Sequence, residues 1–366
     1  MRVAIVHDFM ETYGGAERVT EEMARAFPGA RVTAILGRPS VARRMGIEDR
    51  FASVLPPRPR LLSGYRALTP LFPAIVRANA IEDADVLLSS SYAFAHFFRP
   101  AGEAPHVCYC HSPLRFAWSM TEEYRDQRAR SAPARVAFEG LAGAMRRADA
   151  GAARRVDRYL TQSPYVAGLI KRAYHRSADV IGAPVDCDLF RPAEGEPEDF
   201  YLLCGRLIEP YKRMDIVLEA FSSLPGERLV VAGDGPAMGR LRAMAPANVE
   251  FRGHLADSEL VPLMQRCAAA IFPSVDDFGL IPVEVAACGR PVLAYAAGGA
   301  LYTVRAGVTG EFFGEQSAPA LLEALRGFDP ARYDPQAIRR HALHWDAAAF
   351  RERLVAAVRE TVERAG

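Results

Sequence analysis

The sequence predicts an α/β protein built from two doubly wound parallel sheets. Three observations lead there. Short apolar runs of strand length alternate with helical-period segments over nearly the whole chain. Its 366 residues exceed what one hydrophobic core usually spans. Glycine-bearing turns follow several of the strands directly, which is where open α/β sheets take ligands.

The strand candidates of the first half are VAIVH (3–7), VTAIL (32–36), DVLLSS (85–90), HVCYCH (106–111) and RYLTQS (158–163). Those of the second half are FYLLCG (200–205), RLVVAG (228–233), VEFRG (249–253), AAIFPS (269–274) and PVLAY (291–295). Between Arg38 and Arg77 six prolines and scattered arginines break the alternation, so loops and short helices are expected, near an acceptor site or a membrane surface. The Pro- and acid-rich segment 182–199 interrupts the periodicity again, placing the boundary between domains 1–183 and 184–345. The tail 346–366 is amphipathic and helix-forming, and is expected to cross back onto the first domain.

Charge and cysteine usage narrow the function. Lys and Arg number 45 against 44 Asp and Glu, which removes the electrostatic basis for a nucleic-acid partner. The first residues, MRVAIVHDF, read as a buried strand rather than a signal peptide, and no apolar run is long enough to span a membrane. The six cysteines show neither C-x-x-C nor zinc spacing, so reduced core residues and a cytoplasmic location are expected.

Six features could carry chemistry. In YGGAERV (13–19), Gly14 and Gly15 would let the backbone approach an anion at a helix start; a tight turn explains them equally well. VVAGDGPAMGRL (230–241) imitates a dinucleotide fingerprint, yet the acid that should hold the ribose is out of place, Glu250 lying near the start of its strand. GRLIEPYKRMD (205–215) supplies Arg206 and Lys212, a cation pair suited to a diphosphate, against the usual reading of a solvated basic loop. In SVDDFGLIPVEVAACGRP (274–291), Asp276 and Glu284 stand eight positions apart across Gly279 and Pro282. Pro282 fits a first helical position, which would put Glu284 in the first turn beside free N–H groups; acidic capping alone would not account for the glycine and proline. His111 ends a buried strand, where a structural histidine is the default. The arginines 146, 147, 154, 155 and 158 could face anionic lipid, although such clusters are usually solvated helix faces.

Together these pieces resemble the large retaining glycosyltransferase family with the GT-B fold and an E-x7-E motif, the glycosyltransferase family 4 type. The resemblance covers GGAERV, CHSPLR, GRLIEPYKRMD, GDGP, FRGHL, DDFGLIPVEVAACGRPVLA and GGA (298–300), in that order. HDFMETYGGAERV, HSPLRFAW and GGALYTV look most similar to its GDP-mannose-dependent mannosyltransferase branch.

What the resemblance implies is two Rossmann-like domains facing across a cleft, the first binding acceptor and the second a nucleotide-sugar donor. Gly14 and Gly15 would lie against the donor diphosphate, with Arg206 and Lys212 neutralising it. Glu284 would bind the ribose, Asp276 the sugar, with Gly279 and Leu280 offering N–H groups. His111 would meet the sugar near the reacting carbon, Gly253, His254 and Leu255 the nucleobase, and Gly298 and Gly299 would form another donor-side turn. Asp276 departs from the family's usual Glu by one methylene. Retaining, metal-independent, front-face transfer is implied, with no cofactor beyond the donor substrate. GDP-mannose is the favoured donor and a UDP-sugar the second. The acceptor hydroxyl would belong to a lipid-linked or small-molecule glycoside, with peripheral membrane contact.

Three rivals share some of these residues. A kinase would need an H-R-D loop before its D-F-G, and VDRY (157–160) lacks the histidine and the asparagine. An NAD(P)-dependent oxidoreductase should bind that cofactor and ignore GDP and UDP. A non-catalytic nucleotide-sugar-binding protein would share every donor residue but neither hydrolyse nor transfer.

Overall fold

The structure is a computed structural model that describes the backbone of residues 1–365 and the side chains of all of these except Ser63 and Arg128. It divides into two compact units, Met1–Pro184 with Ala348–Gly366, and Val185–Ala347.

The first unit is built on seven parallel strands: β1 (Val3–Met10), β2 (Arg31–Gly37), β3 (Phe51–Leu55), β4 (Val86–Ser91), β5 (His106–Cys110), β6 (Arg158–Thr161) and β7 (Asp179–Val180), in the order β3-β2-β1-β4-β5-β6-β7. The order reverses between β1 and β4, which are paired directly, for instance His7 against Ser90. Loops leaving those two strands diverge, and such a switch point opens a crevice at the carboxyl edge of a doubly wound sheet. Ile5, Val6, Leu87 and Leu88 are fully buried, as expected for strands covered on both faces. The Pro-rich region holds short helices, Pro39–Arg44, Pro59–Gly64 and Phe72–Arg77, each with proline in its first turn. It also holds β3, which the sequence did not announce.

The helix Ala347–Ala365 belongs to this unit and buries Phe350, Leu354 and Val358 completely. Phe350 meets Tyr109 edge-on at 5.8 Å, and Arg158 donates to the Ala357 carbonyl (3.1 Å) and to Glu360 (2.7 Å). Its apolar stripe thus completes the core beside β5 and β6.

In the second unit six parallel strands, β8 (Tyr201–Cys204), β9 (Leu229–Ala232), β10 (Val249–Gly253), β11 (Ala269–Phe272), β12 (Val292–Tyr295) and β13 (Gly310–Phe313), run in the order β10-β9-β8-β11-β12-β13. Leu203, Val217, Phe221, Val231, Ile271 and Leu293 form its core. The reversal here lies between β8 and β11, so the loops 205–213 and 273–279 leave adjacent strands at the carboxyl edge. Among the described residues no helix is long and apolar enough to cross a membrane.

Candidate functional site

At the second unit's switch point the two loops are joined by charge. Lys212, on the loop after β8, donates to both carboxylate oxygens of Asp276 on the loop after β11, at 2.8 and 2.6 Å. Both side chains are mostly shielded, 15% and 18% exposed, so the pair is screened less than a surface bridge. Arg206, on the same loop as Lys212, is exposed, and its side chain makes no ion pair or hydrogen bond among the described residues. One cation is therefore occupied by an internal carboxylate and the other is free.

Glycines shape both loops. A Cβ on Gly233 would meet the Gly205 carbonyl oxygen at 1.9 Å, and one on Gly235 would meet the Leu207 carbonyl oxygen at 2.4 Å. The Leu207 N–H donates to the Asp234 carbonyl and the Ala237 N–H to that of Leu207, both 3.0 Å. Two of the three glycines that imitate a dinucleotide fingerprint are thus required by loop-on-loop packing, and Glu250 is bound at the sheet edge by Arg228 and Arg252. Gly298 and Gly299 do the same for the other loop: their Cβ atoms would meet the Asp276 carbonyl at 2.6 Å and the Phe278 backbone at 2.4 Å, while Gly299 N–H donates to the Asp276 carbonyl (2.7 Å). These two glycines fix Asp276 from behind.

The helix after Asp276 corrects one expectation. It spans Leu280–Ala287, with Gly279 as its N-cap at φ 84°, so Pro282 is its third residue and not its first. Glu284 therefore stands in the second turn, buried at 6% exposure among core residues and near the Cys204 thiol, whose pKa burial and then this carboxylate push well up. The unsatisfied donors of a helix start are those of its first positions; proline removes one, leaving the N–H groups of Gly279, Leu280 and Ile281. At the end of β10, Gly253 adopts φ 71° with open space around it; His254 is exposed and Leu255 half-buried.

The first unit's switch point is a buried polar network. Gly14 is the N-cap of helix Gly15–Ala26, and its N–H donates to Glu17 (2.9 Å), closing a capping arrangement. The other Glu17 oxygen lies 3.5 Å from His7 Nε2. His7 Nδ1 lies 3.1 Å from the Ser90 carbonyl, 3.0 Å from Ser90 Oγ and 3.0 Å from Thr20 Oγ1. Ser90 Oγ then reaches His111 Nε2 at 2.8 Å, just past β5. His7, Thr20 and Ser90 are fully buried. Burial first, then the neighbouring His7 and Arg115, push the His111 pKa down to about 3, so it is neutral at physiological pH. Asp8, also buried, accepts four N–H groups, from Tyr92 (2.6 Å), Ala93 (2.9 Å), Phe94 (2.5 Å) and Ala95 (2.7 Å), which ties β1 to the loop after β4.

The structure thus brings together Lys212, Asp276 and Gly279 with the loop of Arg206 in one unit, and Gly14 and His111, through Glu17, His7 and Ser90, in the other. Sequence reasoning missed Glu17, His7, Asp8 and Ser90. The available signal was polarity inside buried strands, since VAIVHDF and VLLSSS place histidine, aspartate and serines where parallel strands are normally apolar throughout.

Residues 13–189 match the family model described as Glycosyltransferase Family 4, and residues 199–328 the model described as Glycosyl transferases group 1. Among curated relatives, the D-inositol 3-phosphate glycosyltransferase of Mycobacterium avium (strain 104) is 36% identical over 193 residues, 47% of this chain and 45% of that protein. The same-named protein of Mycolicibacterium paratuberculosis is 35% identical over 193 residues, covering 47% and 44%. The match spans a little under half the length of these relatives. Among solved structures, Anabaena HepE in complex with UDP superposes with a TM-score of 0.74 at 17% identity, over 98% of this chain and 100% of that one. Sucrose-phosphate synthase of Thermosynechococcus elongatus gives 0.68 at 18%, over 98% and 99%. At such identities the structural likeness establishes the fold, and the fold is GT-B.

Proposed function

We propose that this chain, a GT-B protein carrying a Family 4 segment followed by a group 1 segment of the glycosyl transferases, moves a sugar from a nucleotide-diphosphate donor to an acceptor hydroxyl with retention. The observation that carries the reading is the Lys212–Asp276 pair at the carboxyl-edge switch point, with the Arg206 side chain free on the same loop and the N–H groups of Gly279, Leu280 and Ile281 at the helix start. Two cations and a helix start are what a diphosphate needs, and a carboxylate at the same place can accept bonds from sugar hydroxyls.

In the proposed reaction the bond from the anomeric carbon to the diphosphate oxygen breaks as the acceptor oxygen bonds to the same face of that carbon. The acceptor's proton passes to the departing phosphate oxygen. Arg206 and Lys212 stabilise the charge gathering on the diphosphate, the main electrostatic contribution, and do so without a metal. Gly253, His254 and Leu255, on the second unit with Arg206 and Lys212, meet the base, and His111, Gly14 and Gly15 of the first unit keep the roles that the family resemblance implies. Glu284, 6% exposed, is assigned to the ribose.

GDP-mannose is the donor favoured by the HDFMETYGGAERV, HSPLRFAW and GGALYTV segments. The UDP and UDP-glucose found with HepE support a UDP-sugar as the second reading. The names of the curated relatives make a phosphorylated cyclitol the first acceptor to assay, ahead of lipid-linked glycosides. A thermal-shift panel over GDP, UDP, ADP, NAD and their sugars tests the reading. Stabilisation by GDP above UDP and ADP is expected; stabilisation by NAD alone would overturn it. Slow donor hydrolysis separates the enzyme from a binding protein.

A further inference from the structure

We infer that Ser90 is a positioning residue: its hydroxyl donates to His111 Nε2 and holds the imidazole as the Nδ1–H tautomer, presenting an N–H donor where substrate would lie. The proton count follows from groups with only one possible role. The Ser90 carbonyl, 3.1 Å from His7 Nδ1, can only accept, so His7 Nδ1 carries a proton and cannot take one from the Ser90 hydroxyl. His7 Nδ1–H, donating into Ser90 Oγ as well as the carbonyl, polarises that hydroxyl outward, along the chain towards His111.

The His7 to Ser90 Oγ contact is 3.0 Å and Ser90 Oγ to His111 Nε2 is 2.8 Å, both hydrogen-bond lengths. His111 is neutral, so it has one proton to place, and with Nε2 accepting, that proton sits on Nδ1. Nδ1 makes no hydrogen bond among the described residues, and the rings of Tyr92 and Tyr109 stand edge-on to the imidazole at 6.3 and 5.1 Å. The competing arrangement has Thr20, which already reaches the Ala16 carbonyl at 2.9 Å, accept from Ser90 while His111 donates from Nε2. It would present a lone pair at Nδ1 in place of a donor.

The tautomer stands apart from the proposed reaction; only its catalytic value rests on that reading. The test is a long-range proton–nitrogen correlation spectrum of the nitrogen-15-labelled full chain at pH 7, with the His111 signals identified by their loss in His111→Gln. An Nδ1–H pattern is expected in the wild type, and an Nε2–H pattern overturns the inference whatever the variants do. Ser90→Ala should shift the pattern towards Nε2–H, and Thr20→Val should leave it unchanged; a shift in Thr20→Val alone would identify the competing arrangement. In turnover, Ser90→Ala should lower kcat on the order of tenfold with the donor KM within about twofold, and Ser90→Thr should recover most of it. If the wild type turns over no nucleotide sugar but shows the Nδ1–H pattern, the enzyme reading fails and the positioning of His111 stands.

Discussion

Lys212 and Asp276, 64 positions apart in sequence, hold each other across the switch point of the second sheet through both carboxylate oxygens. Asp276 therefore neutralises the cation proposed for the donor diphosphate. The two partners should respond oppositely to substitution. Lys212→Ala is expected to lower kcat/KM by roughly 100-fold or more, the scale of losing one charge-stabilising donor. Asp276→Asn should abolish most transfer yet bind free nucleoside diphosphate a few-fold tighter, because the cation loses its internal competitor. Calorimetric titration beside the rate assay checks both, and equal weakening of nucleotide by the two variants would refute the competition.

The loop glycines give a prediction about stability alone. Gly235→Ala places a methyl 2.4 Å from the Leu207 carbonyl, a backbone atom that cannot swing aside. A loss of about 2 to 4 kcal/mol is expected by denaturant unfolding. Gly239, in the neighbouring helix Met238–Met244, has nothing within 4 Å of its Cβ position, so Gly239→Ala should stabilise by about 0.5 to 1 kcal/mol. The opposite ranking would mean that GDGP is conformationally slack.

Stability should fall on mild acidification. His111 and His106 are both held near a pKa of about 3, chiefly by burial, against an ordinary value of 6.5. Between those values the unfolded chain binds protons that the folded chain refuses, so stability is lost as pH falls from about 6.5 towards 3. At pH 5 each contributes a loss of about 2 kcal/mol. His96 runs the other way: against the pull of burial, Asp149 at 3.0 Å raises its pKa, and its contribution is lost as pH rises. Comparing wild type with His106→Asn isolates one histidine, and the variant should show the shallower decline between pH 7 and pH 5.

The last helix is a structural part of the first unit. Leu354 is fully buried, so Leu354→Ala should cost about 2 to 5 kcal/mol by chemical denaturation. The exposed face sets the control: among the described residues Arg364 pairs only with Glu360 on its own helix, and Arg364→Ala should stay within about 0.5 kcal/mol.

How much was legible follows from where the signal resides. Strands such as VAIVH and RLVVAG are apolar runs between turns, and periodicity exposes them. β13, GEFF, starts with a glycine whose Cβ would lie 1.8 Å from the Val292 carbonyl, so its membership is dictated by a neighbouring strand. β7 has two residues, and β3 sits among prolines and arginines, where local composition argues for loops. At the site, Lys212 and Asp276 were visible singly, because cations and acids after strands are a local pattern. Their mutual bond was not, since two different loops make it. Glu284 was placed a turn too early because Pro282 suits a first helical position, while Gly279 at positive φ starts the helix two residues sooner. Ser90 carried no motif, only the signal of a polar side chain in a buried strand; its three-dimensional place between two histidines gives it a role.

The glycine pair behind Asp276 has a consequence for how this chain could be altered. With Gly299 bonded to the Asp276 carbonyl and no room for a side chain at either glycine, the main chain at 276 has no slack to advance or retreat. Reach into the site at that position is then a property of the side chain alone, counted in methylenes, and a saturation library at codon 276 would sample sugar recognition on an unmoved frame.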